Sequence, residues 1–134
     1  MKTEGRSAMS WVAPSPASYV GQSVGNGQCV AYVQVAAHAP VTAEWTQGQL
    51  VKGNDISQGT AIATFDPDGT YGNHTDGRSH AAIFHEETST GLLVWDQWVQ
   101  PAGVHKVAPR VISFNDQDGL ACDNGNVFYV IEHA

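Results

Sequence analysis

Apolar and polar positions follow two different periods along this chain, and the period changes near residue 40. Cys29, Val30, Val33, Ala36 and Ala37 recur at i, i+1, i+4, i+7 and i+8, which predicts a helix over 28–38. Ala39-Pro40 ends it, because proline disfavours helical geometry in the residue before it. The segment carries no Asp, Glu, Lys or Arg, so its helix is expected to be buried against a sheet. Beyond residue 59 the apolar runs are short and mostly alternate, which predicts strands over 60–65, 80–86, 92–99, 105–114 and 127–132.

The segments between these elements are rich in turn chemistry. Asp66-Pro67-Asp68-Gly69 is a strong turn, and residues 87–91 read as a hairpin loop between two strands. Residues 41–59 are mixed, with turns around Trp45-Thr46-Gln47-Gly48 and Lys52-Gly53-Asn54 flanking a short anchor, Leu50-Val51. Residues 70–79 form a long polar loop, and such loops in small domains often carry function. Residues 115–126 form an acidic loop around Cys122, and 17–24 a short turn or helix. Residues 1–16 read as a loose polar arm. The expected architecture is α+β: an N-terminal helix carrying a cysteine, packed on an antiparallel sheet of about five strands. Residues 17–134 then form a single domain.

Composition narrows the function. The chain has 134 residues, a net charge of −7, and only six Lys and Arg, which argues against nucleic acid and against a basic membrane patch. No apolar run approaches the roughly 20 residues of a membrane span. The first 16 residues hold no apolar core of a secretory leader, so the protein is expected to stay in the cytoplasm or leave without a cleaved leader. Two isolated cysteines make no zinc site, and Cys122 is either free or paired. The order Asp66, Asp68, Thr70 lacks the late bidentate Glu of a calcium loop and reads as a turn. No metal or cofactor is called for.

The candidate chemistry begins at Gly25-Asn26-Gly27-Gln28-Cys29, where a glycine loop runs into the helix. A thiol there feels the positive end of the helix dipole, which favours thiolate. Buried filler is the other reading of such a cysteine. His80 opens a strand straight after the long loop and can face a cleft. His38, His74, His85 and His105 compete less well, lying in a helix tail, a mobile loop, an opposite face and a turn. Asp96 lies on the neighbouring hairpin strand and can reach the His80 end, where a carboxylate would orient the imidazole. Gln97 could orient it too, but strand alternation puts it on the other face. The Cys29 backbone N–H is the natural oxyanion donor, with Gln22 or Gln28 as candidates for a second. Trp45, Trp95 and Trp98 could line a groove, with one or two of them in the core.

Four blocks in order carry a resemblance: Gly27-Gln28-Cys29-Val30-Ala31-Tyr32, Gly59-Thr60-Ala61-Ile62-Ala63-Thr64-Phe65, His80-Ala81-Ala82-Ile83-Phe84 and Val94-Trp95-Asp96-Gln97-Trp98. Together, from about residue 22 onward, they resemble the CHAP and NlpC-type papain-like cysteine amidases, and most of all the leaderless amidase effectors of bacterial type VI secretion. The resemblance implies Cys29 as nucleophile, His80 as general base and Asp96 as third member. It implies cleavage of the diaminopimelate–D-Ala cross-link of peptidoglycan by a monomer made in the cytoplasm and exported by the type VI apparatus. Action in a recipient's periplasm and a cognate immunity protein are implied as well. CHAP enzymes often carry Glu at the position of Asp96 and Asn at that of Trp98. Gln97 and Trp98, with Gln22 and Gln28, are the candidate oxyanion or substrate contacts. A housekeeping amidase cutting γ-D-Glu–diaminopimelate or the muramoyl–L-Ala bond is an alternative, as is a non-catalytic binding module.

Overall fold

In a computed structural model of the chain, described over residues 9–115 and 118–133, one α-helix packs on an antiparallel sheet of seven strands. Strand β1 (Met9–Ser10) precedes helix α1 (Cys29–Ala37), followed by β2 (Thr46–Leu50), β3 (Ala61–Ala63), β4 (Ala81–Glu87), β5 (Gly91–Gln100), β6 (Gly103–Ser113) and β7 (Tyr129–His133). The sheet runs β7–β3–β4–β5–β6, with β1 and β2 both paired to β7. β3–β4, β4–β5 and β5–β6 are sequential antiparallel pairs, the first joined by a long loop, while β7 returns across the sheet to lie beside β3.

The period-two pattern sorts the sheet residues onto two faces. One face carries Ala61, Ala81, Ile83, Trp95 and Ile131, packed against Tyr32, Val33, Ala36 and Ala37 of α1. The alanines on both sides let helix and sheet approach closely, and burying each larger side chain contributes about 1.5–3 kcal/mol. The other face carries Ile62, Ala82, Phe84, Leu92, Val94 and Val130, covered by Val51 and Phe128. The sheet is thus buried on both sides although it has a single helix.

The α+β class matches the sequence-based expectation, but the count of about five strands does not. The two extra strands are those with the weakest apolar pattern. Strand β1 has only two residues. Strand β2, Thr-Gln-Gly-Gln-Leu, is polar because it lies along the edge of β7 with most of its side chains exposed. Its Gly48, which resembled a turn residue, marks a close approach instead. A Cβ there would fall 2.5 Å from the Glu132 carboxylate and 2.7 Å from the Val130 carbonyl oxygen.

The arm expected over 1–16 also needs correction. Residues 1–8 lie outside the described residues. Residues 9–13 run along the sheet: Met9 and Ser10 pair with His133 and Glu132, Val12 bridges Thr60, and the Ala13 N–H donates to Gly59 O at 2.7 Å. A single 3-10 turn, Pro16–Tyr19, then caps the helix, with Tyr32 Oη donating to Pro16 O at 2.9 Å.

Candidate active site

Cys29 is the first residue of α1, and a glycine loop sets it there. Gly25 and Gly27 both have positive φ, at 57° and 85°. At Gly27 an added Cβ would meet Val104 at 2.7 Å, so neither the turn nor the contact tolerates a larger residue. Asn26 Oδ1 accepts from the Gln28 N–H at 2.9 Å, which draws the loop into the helix. Beneath the loop lies Gln97, fully buried. Its Oε1 accepts from Val24 N at 2.9 Å, and its Nε2 donates to Val24 O and Gln28 O, both at 2.8 Å. Gln97 therefore ties the cysteine loop to β5.

His80 sits one residue before β4 and is 5% exposed. Thr64 holds its backbone: Oγ1 accepts from His80 N at 3.0 Å, and Thr64 N donates to His80 O at 3.0 Å. Its Nε2 donates to Asp96 Oδ2 at 2.7 Å. That contact leaves Nδ1 for the thiol of Cys29, which feels the charge of the His80 ring. Asp96, on β5, is fully buried. Strand alternation sends the neighbouring Asp96 and Gln97 to opposite faces of the sheet, one toward the histidine and the other toward the cysteine loop, just before a register shift in β5.

The electrostatics follow from this packing. Burial opposes charge on the Cys29 sulfur. The His80 cation and hydrogen bonds from His80, the Ala81 N–H and Tyr71 outweigh it, and the thiol titrates below its usual range. Burial likewise opposes charge on His80, yet the Cys29 thiolate and the Asp96 carboxylate push its pKa up to about 9. Burial would raise the Asp96 pKa, but His80 and Arg110 hold it below the usual carboxylate range. The arrangement favours a thiolate–imidazolium pair, a charge-separated nucleophile with its acid already in place.

A cavity of about 690 Å³ opens onto the sulfur, lined by Gln28, Cys29, Tyr71, His80, Trp98 and Arg110 among others. Of the residues singled out in the sequence, it brings together Cys29, His80, Gln28 and Trp98. Gln97 is a strut away from this cavity. Gln22 is not in its wall, and its Nε2 donates to Ser18 O at 3.2 Å. Trp45 and Trp95 are core residues, 3% and 6% exposed. Among the described residues no group of three or more His, Cys, Asp and Glu side chains is arranged to hold a metal ion.

Two residues of the site escaped the sequence reading. Tyr71, in the loop between β3 and β4, is 7% exposed and points its hydroxyl at Cys29 Sγ across 3.7 Å. The rings of Trp45 and Phe65 fix it, at 4.9 Å and 6.4 Å between centroids. The loop itself is clasped by His74 Nε2 and Asp66 Oδ2 at 2.8 Å, and Gly72 passes so close to both that no Cβ fits. Arg110, on β6, reaches Asp96 from the solvent side, with Nη2 at 2.7 Å and Nε at 3.1 Å from Oδ2. Neither residue lies in a local motif. Only the pairing of Val94 with Arg110 in the sheet reveals the second.

The family model described as "Domesticated amidase effector 2" matches residues 5–131. A Salmonella typhi protein named type VI secretion amidase effector 2 is 40% identical over 121 residues, covering 83% of this chain and 90% of that protein. A tick protein, domesticated amidase effector 2 of Ixodes scapularis, is 39% identical over 94 residues, covering 68% of this chain and 58% of that one. A solved structure of type 6 secretion amidase effector 2 superposes with a TM-score of 0.79 at 31% identity, covering 92% of this chain and 95% of that chain.

Proposed function

The chain belongs to the domesticated amidase effector 2 family, and from that premise we propose that it is a peptidoglycan amidase toxin of type VI secretion, a papain-like cysteine peptidase. The observation that supports this most strongly is the Cys29–His80–Asp96 constellation, with Cys29 and His80 in the wall of an open cavity and Asp96 buried behind His80.

The mechanism follows from the geometry. The Cys29 thiolate attacks an amide carbonyl of a stem peptide that lies in the cavity. The Cys29 N–H, at the helix start where backbone donors lack intrahelical partners, takes up the developing oxyanion. The Tyr71 hydroxyl is the second donor. An oxyanion about 3 Å from Sγ on its Tyr71 side comes within hydrogen-bond reach of the hydroxyl, which stands 3.7 Å from the same sulfur. Burial and the neighbouring thiolate push the Tyr71 pKa far up, so the phenol stays a neutral donor. The His80 imidazolium gives its Nδ1 proton to the leaving amine. Neutral His80 then activates water to cleave the thioester, while Asp96 holds the ring throughout.

The bond proposed is the diaminopimelate–D-Ala cross-link. The toxin is carried out by the type VI apparatus, active as a monomer in a recipient's periplasm and neutralised by a cognate immunity protein. Purified sacculi digested with wild type, Cys29→Ala and Cys122→Ala, with products read by mass spectrometry, test this. Loss of cross-linked dimers with wild type and Cys122→Ala, but not Cys29→Ala, is the expected result. Products cut at γ-D-Glu–diaminopimelate would reassign the bond, and sacculi untouched by wild type would remove the activity.

A further inference from the structure

Arg110 has a position that the Cys–His–Asp scheme does not require. It stands beside His80 and shares an oxygen of Asp96 with it: Asp96 Oδ2 accepts from His80 Nε2 at 2.7 Å and from Arg110 Nη2 at 2.7 Å. The guanidinium Nη2 then stands 3.4 Å from the imidazole Nε2. A permanent cation is thus placed against a ring that is itself to be a cation. The guanidinium is fixed from two other sides. It lies 4.7 Å over the Trp98 ring, which is stacked on His105 at 3.8 Å and 5°. Its Nη1 is 3.6 Å from Asp123 Oδ1.

We propose that Arg110 is a positioning residue that tempers the Asp96 carboxylate, so that His80 can still release its proton to the leaving amine. The proposal rests on the cysteine-amidase reading of the site. The physical reason is the balance around His80. Cys29 from α1 and Asp96 from β5 both bear negative charge against it, and Asp123 from the loop before β7 adds to the same field. Arg110 is the opposing cation. A buried carboxylate with His80 as its sole donor would bind the imidazolium proton more tightly, making a better thiolate partner but a poorer acid. Dividing one oxygen between two donors weakens its pull on each. This also gives Trp98 a role in the cleft wall, as the platform on which the guanidinium rests.

The test uses Cys29 alkylation by iodoacetamide across pH, followed peptide by peptide with mass spectrometry, because it reads the ion pair without any substrate. The upper inflection of that profile marks deprotonation of His80. In Arg110→Met it is expected to move up by about one pH unit, and in Arg110→Gln, which keeps a neutral donor for Asp96, by a similar amount. Arg110→Lys is expected to bring it back toward wild type. On sacculi, kcat should fall about tenfold in the neutral variants with KM little changed. If either folded neutral variant leaves the inflection in place or moves it down, the proposal is overturned, since loss of a merely structural contact would shift stability and not this limb. A shifted inflection in a protein that cuts no peptidoglycan would sustain the electrostatic role and remove only the amidase reading.

Discussion

Two thiols line the same cavity, and their surroundings push them in opposite directions. Both are free and half-buried. Cys29 begins a helix and meets an imidazolium, a phenol and a backbone N–H, which lower its pKa despite burial. Cys122 begins no such element, and burial followed by the charges of Asp123 and Asp118 pushes its pKa up to about 11. Proximity to a cleft therefore does not make a cysteine a nucleophile. The sign of the charge packed around it does.

The largest effect that would break this contrast is removal of His80. At pH 7, Cys29 should be alkylated on the order of 100-fold faster than Cys122. In His80→Ala that ratio should collapse to within a few fold, with amidase activity down by about a thousandfold or more. A ratio that survives would mean that the helix, and not the histidine, makes the thiolate. Next in size is Tyr71→Phe, which leaves the ring packing in place and deletes one hydroxyl. Turnover is expected to fall about 10- to 100-fold, with the alkylation rate of Cys29 changed far less. Equal losses in both measurements would place Tyr71 in thiolate stabilisation alone.

The pH profile sharpens the contrast further. The Cys29 pKa is lowered, so its thiolate is lost as pH falls through that lowered value. The His80 pKa is raised to about 9, so its acid form is lost as pH rises through that value. Activity should form a plateau between the two and drop about tenfold per pH unit outside it. Activity still climbing above pH 10, where Cys122 begins to ionise, would contradict the pair. The smallest expected effect is that of Asp123→Asn. It removes a charge that holds the Cys122 thiol up, so alkylation of Cys122 at pH 8 should quicken a few fold, as measured by the same peptide mapping.

Much of the fold was legible because its core elements repeat with a clean period. The apolar face of 28–38 became α1, and the five apolar alternations became β3 to β7, because each must bury one side. The edge strands were not legible. Thr46–Leu50 has a polar pattern because it faces solvent and contributes backbone hydrogen bonds more than side chains, so nothing in its composition distinguishes it from a turn. At the site, Cys29 and His80 were visible as chemistry at element boundaries, and Asp96 as a carboxylate on the neighbouring strand. Gln22 and Gln97 were candidate oxyanion or substrate contacts on residue type. Their amides are instead consumed in holding Ser18 and the Val24–Gln28 loop.

By itself the sequence determined which thiol sits on a helix start, since periodicity, glycine punctuation and a proline stop are local properties. Tertiary structure alone decided what surrounds that thiol. Tyr71 and Arg110 arrive from a loop and a strand that lie 42 and 81 positions further along the chain than Cys29, brought in by sheet register and by a loop clasp that no local pattern encodes. The pKa of Cys29 and that of Cys122 depend on charges only a few ångströms away in space, and such distances are set by packing.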